Sequence, residues 1–169
     1  RIAEQHPRPR SRRDAASGQI RQLVAYTLTP SRHDVEERAA LPHAEREEAL
    51  RRLAYESFLV NDIDVARTAV ERLLAGLRAN GNRVGEAAAL RELSRLLRFQ
   101  GEITAAERAA LDAVALLESE GEGRELALAY DHLAWLRLLV NDNEGAIELA
   151  RKALALAGDD IAIAADALL

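Results

Sequence analysis

Apolar and polar positions along this chain repeat with a period of forty residues. The columns that show the period most clearly are Leu53/Leu93/Leu133, Ala66/Ala106/Ala146 and Asn61/Gly101/Asn141. A fixed period of roughly 20 to 50 residues is typical of stacked units, none of which buries its apolar face alone. The period therefore predicts a repeat architecture.

Within each period, apolar residues recur every three or four positions, as on the buried stripe of an amphipathic helix. The helices that these stripes predict are 44–60, 63–79, 85–99, 104–120, 124–140 and 144–157. Gly81 and Gly121 follow second helices, where glycine supplies the left-handed conformation that ends a helix. The prediction is an all-α fold, an α-solenoid of three helical hairpins.

The period also divides the chain into parts. Three repeats are predicted at 43–81, 82–121 and 122–158. Residues 1–42 do not join the register, and we expect a leader or a degenerate N-terminal cap that is partly disordered. Residues 159–169 match the start of a fourth repeat, and a short capping helix is the alternative. The apolar end at Leu168 and Leu169 predicts a fragment of a longer protein, because a solenoid normally ends in a polar cap.

Composition narrows the class of protein. Aromatic residues make up 4% of the chain and cysteine is absent, so the core relies on aliphatic side chains and disulfides are excluded. No run of about 18 apolar residues exists, which predicts a cytoplasmic protein without a membrane span. The net charge of −5 divides into +4 over residues 1–13 and −9 over the rest. An acidic body argues against direct nucleic-acid binding by this segment.

No motif predicts a catalytic, cofactor or metal site. A phosphate-binding loop needs a Gly-Lys-Ser/Thr sequence, whereas Lys152, the only lysine, lies inside a predicted helix. The four histidines lack the i, i+4 pairing of a helical metal site, and we expect His132 to be an ordinary surface or groove histidine. Ser57, Ser94 and Ser119 have no glycine-rich elbow. The chain is therefore predicted to be no enzyme.

The first helix of each repeat carries the remaining candidate site, because these helices line the concave side of a right-handed stack. The residues predicted to face this groove are Arg51, Tyr55 and Phe58, then Arg91, Arg95 and Arg98, then Asp131, Trp135 and Leu138. The three arginines of the second repeat share one helix face and suit carboxylates of a partner peptide or an anionic ligand.

Two alternatives stay open for these groove residues. The arginines of the second repeat can instead pair within the chain, with Glu92, Glu102 or Glu107, and keep the surface hydrated. Trp135, the only tryptophan, is expected to be a packing residue, although a partly exposed tryptophan would suit a binding hot spot.

The assembled columns resemble the tetratricopeptide repeat. The matching residues are Leu53, Ala54 and Ala66, then Leu93, Ser94, Ala106 and Ala113, then Tyr130, Leu133, Ala134, Ala146 and Ala153. The stretch 143–154 is especially similar to that family's second helix. The period of forty, in place of thirty-four, departs from the family, as does Leu73 at a position where alanine is usual.

A narrower resemblance covers about residues 41–158, through the stretches 41–46, 53–56, 93–101, 126–130 and 133–134. These are similar to the helical-repeat region of the large ATP-binding, LuxR-type transcriptional regulators of high-GC bacteria. In that family an ATPase module of the STAND type precedes the repeats, and a helix-turn-helix module follows them. The resemblance implies a scaffold that senses an inducer or a protein partner and controls homo-oligomerisation. The alternative is a free-standing adaptor that binds acidic peptide tails in its concave groove.

Overall fold

The computed structural model describes residues 42–121 and 123–157, whose regular structure is entirely helical. The helices are α1 His43–Leu59, α2 Ile63–Ala79, α3 Arg83–Phe99, α4 Ile103–Glu120, α5 Gly123–Leu139 and α6 Asn143–Ala157. Each begins and ends within two residues of its predicted bounds. The predicted all-α fold of helical hairpins, an α-solenoid, is confirmed. Apart from Pro42, the predicted leader and the predicted start of a fourth repeat lie outside the described residues.

The chain forms two compact units, residues 1–69 and residues 70–169, and the division falls inside α2. The described part of the first unit contains α1 and the beginning of α2. In the second unit, α3 packs along α4 and α5 packs along α6. Contacts between α4 and α5, and between α3 and α5, join these two hairpins. This second unit places the first helices of two successive repeats side by side.

Each turn inside a hairpin contains one residue with a positive φ angle. Asn61, Gly101 and Asn141 have φ values of 62°, 80° and 61°. Glycine and asparagine adopt this left-handed conformation more readily than other residues. This preference explains why all three repeats have glycine or asparagine at this position. Gly81 and Gly121, with φ values of 66° and 72°, follow α2 and α4. The predicted glycine ends of these two helices are confirmed.

Substitution at Gly101 is expected to reveal how much this turn conformation matters. Gly101→Ala should lower the free energy of unfolding by about 1 kcal/mol, because alanine is strained at a positive φ. Gly101→Asn introduces the residue that the other two turns have at this position, and it should lower the free energy of unfolding much less. Urea titrations followed by circular dichroism measure both values. Equal losses would show that the φ angle is not the cause.

A side-chain amide and a side-chain carboxylate cap the N-termini of two helices. Asn82 Oδ1 accepts a hydrogen bond from the Gly85 N–H of α3 at 2.9 Å. Asp142 Oδ1 accepts one from the Gly145 N–H of α6 at 3.0 Å. Such caps satisfy N–H groups that have no partner inside the helix. They define where α3 and α6 begin.

The core of the hairpins is built from small and aliphatic residues. Ala66, Ala106 and Ala146, which share one column, are all buried. Alanine at these positions lets neighbouring helix backbones approach closely, as the tetratricopeptide-like pattern requires. Leu53 and Leu133 are buried as well. Among the six described helices, none combines the length and the apolar character needed to cross a membrane.

Candidate functional site

Three arginines form a row along α3. Arg91, Arg95 and Arg98 follow one another at i, i+4 and i+7, and all three are partly buried. The guanidinium carbon of Arg98 lies 4.6 Å from the centroid of the Phe99 ring, a distance at which a cation is attracted to an aromatic face. The predicted row of cations is therefore present on one side of α3.

Two of these arginines form ion pairs with residues of the same unit. Arg95 pairs with Glu92 of its own helix, which is one of the alternatives left open by the sequence. Arg91 Nη2 lies 3.5 Å from Glu125 Oε2 of α5. Glu107, another predicted partner of the row, instead pairs at 2.9 Å with Arg137 of α5. These pairs connect α3 and α4 to α5.

The side chain of His132 extends from α5 towards α3. Its Nε2 atom lies 2.8 Å from the Oγ atom of Ser94 on α3. The Ser94 hydroxyl donates in turn to the backbone carbonyl of Ala106 on α4, at 2.6 Å. Because this hydroxyl has a single proton, Nε2 of His132 must be the donor to Ser94. One chain of hydrogen bonds therefore connects α5, α3 and α4.

Burial and the nearby arginine charges keep the His132 ring neutral. Burial is the largest cause, and together with the charges of Arg91, Arg98 and Arg95 it lowers the pKa of His132 to about 4. Each of the three arginines therefore acts on His132 as a positive charge. A row of positive charges attracts anions.

His132, expected to be an ordinary surface or groove histidine, is partly buried and keeps part of its surface exposed. Ser94, at a column otherwise occupied by alanine, accepts its hydrogen bond. Ser94 itself is fully buried and its proton is directed at a carbonyl oxygen. A serine nucleophile must be accessible and must give its proton to the histidine, so this contact is not arranged for nucleophilic attack.

A second row, largely apolar, lies on α5. Trp135 is 50% exposed and Leu138 is 43% exposed, whereas Asp131 is partly buried. Half of the Trp135 surface contacts solvent, which agrees with the partly exposed alternative that the sequence left open. In the forty-residue register, Asp131 corresponds to Arg91, Trp135 to Arg95 and Leu138 to Arg98. We call these six residues the α3–α5 face.

Arg51 and Tyr55 of the predicted groove belong to the first unit. Both are exposed and lie one turn apart on α1, while Phe58 of the same helix is partly buried. The α3–α5 face lies wholly within the second unit, and its description does not involve these residues.

Two contributors to this region have weak signals in the sequence. The only signal for the position of His132 is Ser94, a serine in a column of alanines. Phe99 is 52% exposed at the end of α3, in the column that also holds Leu59 and Leu139. That column of apolar residues at helix ends is visible in the repeat register.

Metal binding has no obvious place in the described part of the chain. Across residues 42–121 and 123–157, histidine, aspartate and glutamate nowhere assemble in a group of three or more that could hold an ion. The α3–α5 face presents charged groups, hydrogen-bond donors and apolar surface to a ligand.

Comparisons with known proteins bear on the fold. No protein-family model and no curated protein sequence matches this chain. Among solved structures, the chain is similar to the crystal structure of BtubC (BKLC) from P. vanneervenii, with a TM-score of 0.66 and 18% sequence identity. The match covers 84% of this chain and 57% of that chain, so it spans little more than half of BtubC. The likeness concerns the fold alone.

Proposed function

We propose that this chain is a non-enzymatic protein-interaction module that binds an acidic peptide segment on its α3–α5 face. The observation that carries the proposal is the row of three partly buried arginines on α3, together with the half-exposed Trp135 on the neighbouring helix α5. Guanidinium groups bind carboxylates through paired, charge-assisted hydrogen bonds. Arginine and tryptophan are also the residue types that most often dominate binding energy at protein interfaces.

The ion pairs within the face do not prevent such binding. Both pairs are partly buried, and the paired atoms of Arg91 and Glu125 lie 3.5 Å apart. Each pair keeps part of its surface in contact with solvent, so a carboxylate from a partner can approach the guanidinium groups and compete with Glu92 or Glu125.

As the biological setting, we propose the repeat segment of a LuxR-type transcriptional regulator in the bacterial cytoplasm. The support is the resemblance of residues 41–158 to the repeat region of that family. A partner peptide or an inducer bound to the face would then shift the equilibrium between states of the attached modules, including their oligomeric state. The alternative is a free-standing adaptor that uses the same face. The reading frames on either side of this segment distinguish the two.

Charge reversal within the row tests the binding proposal. We expect Arg95→Glu to weaken binding of a fluorescently labelled acidic peptide by about tenfold or more, because it replaces an attraction by a repulsion. Raising the salt concentration should weaken binding to the wild type as well. Fluorescence anisotropy measures both effects.

Two further variants sharpen the test. Arg108→Glu makes the same change of charge at an exposed position of α4 and should leave the affinity nearly unchanged. Glu92→Gln removes the negative charge that pairs with Arg95 and should tighten binding a few-fold. If Arg95→Glu and Arg108→Glu weaken binding equally, the attraction is only that of the net charge and the proposed site is wrong.

A further inference from the structure

The spacing of the arginines matches one backbone conformation of a partner. At 1.5 Å per residue, positions i, i+4 and i+7 of α3 span about 10.5 Å along the helix axis. A partner helix with acidic residues at i, i+4 and i+7 repeats this spacing. An extended partner with acidic residues at alternate positions spans roughly 13 Å over three of them. A partner helix can therefore place three carboxylates opposite the three guanidinium groups at their own spacing.

The α3–α5 face is charged along one side and apolar along the other. Its α3 side presents three cations, while its α5 side presents the exposed surfaces of Trp135 and Leu138. Axes of packed helices lie about 8 to 10 Å apart, and a helix with its side chains is about 10 to 12 Å wide. A helix lying along the seam between α3 and α5 can therefore touch both rows at once.

From this arrangement we infer that the partner is an amphipathic α-helix, with acidic residues at i, i+4 and i+7 along one side and bulky apolar residues along the adjacent side. The inference rests on the proposed function and adds the conformation and residue pattern of the partner. The acidic side lies over Arg91, Arg95 and Arg98, and the apolar side lies over Trp135 and Leu138.

Two synthetic peptides of identical composition provide the test. One has its acidic and apolar residues at helical spacing, and the other alternates them as on a strand. Competition against the labelled acidic peptide is expected to show at least about tenfold tighter binding of the helical isomer, because only that isomer satisfies both rows in one conformation. Equal binding, or tighter binding of the alternating isomer, would overturn the helical partner and leave the proposed function standing. Binding of neither isomer, while the labelled peptide binds, would also overturn only the helical partner. Failure of the labelled acidic peptide itself to bind would overturn both.

A matched pair of variants tests the apolar side of the same partner. Trp135→Ser should weaken binding of the helical isomer about tenfold, as expected for loss of a tryptophan anchor. Ile147→Ser, at a 51% exposed residue of α6, should have no effect. With a helical peptide whose apolar residues are replaced by alanine, Trp135→Ser should lose its effect. An unchanged affinity of Trp135→Ser for the helical isomer, with native circular dichroism, would overturn the apolar contact.

Discussion

Lowering the pH from 7 to 4 is expected to remove roughly 3 kcal/mol from the free energy of unfolding through His132 alone. Burial and the neighbouring arginines lower the pKa of His132 from its ordinary 6.5 to about 4 in the folded chain. Between these two values the unfolded chain binds the proton and the folded chain does not. Stability therefore falls as the pH decreases through this range, and the loss is complete once the pH is below about 4.

His132→Gln isolates this contribution. Its amide retains a donor for Ser94 but has no proton to gain in this range. Urea titrations at pH 7, 5.5 and 4.5 should show a steeper loss of stability for the wild type than for the variant. Carboxylates that titrate at low pH, such as Glu148 beside Lys152, affect both proteins equally. Parallel losses in the two proteins would contradict the placement of His132 under Arg91, Arg95 and Arg98.

Ser94→Ala is expected to lower the free energy of unfolding by about 1 to 3 kcal/mol, the usual penalty for leaving a buried donor without an acceptor. The substitution leaves the Nε2 proton of His132 without the Ser94 oxygen that now lies 2.8 Å away. It also removes the hydroxyl that donates to Ala106. Chemical denaturation at pH 7 measures the loss.

A double-mutant cycle separates the hydrogen bond from other effects of Ser94→Ala. In a His132→Leu background the imidazole donor is already absent, so Ser94→Ala should cost clearly less than in the wild type. The same cost in both backgrounds would show that Ser94 does not act through His132. The hydrogen bond between His132 and Ser94 connects α5 to α3, the two helices that carry the α3–α5 face. Both Ser94→Ala and His132→Leu are therefore also expected to weaken peptide binding modestly.

The helices and the arginine row could be predicted because their signals are local. Turn residues such as Asn61 and Gly101 define the ends of helices, and the spacing of Arg91, Arg95 and Arg98 follows from the helix period alone. The repeat pattern of this one sequence is therefore sufficient to predict the fold class and the arginine row of the candidate site.

The position of His132 and the exposure of Trp135 could not be predicted in the same way. His132 reaches Ser94, which is 38 residues away in the chain, and a carbonyl on a third helix. Such a contact depends on how three helices pack, which the period of one helix does not specify. Trp135 lies at the border of an apolar stripe, where helical periodicity does not distinguish a packed residue from a half-exposed one.

The fluorescence of Trp135 tests the central claim most directly, because it is the only tryptophan and lies on the α3–α5 face. Titration with the acidic helical peptide, itself free of tryptophan, is predicted to shift the emission to shorter wavelength as the half-exposed ring becomes covered. The shift should saturate with the peptide and disappear in Arg95→Glu. Binding of the labelled peptide without any change in Trp135 emission would place the site elsewhere and contradict the account.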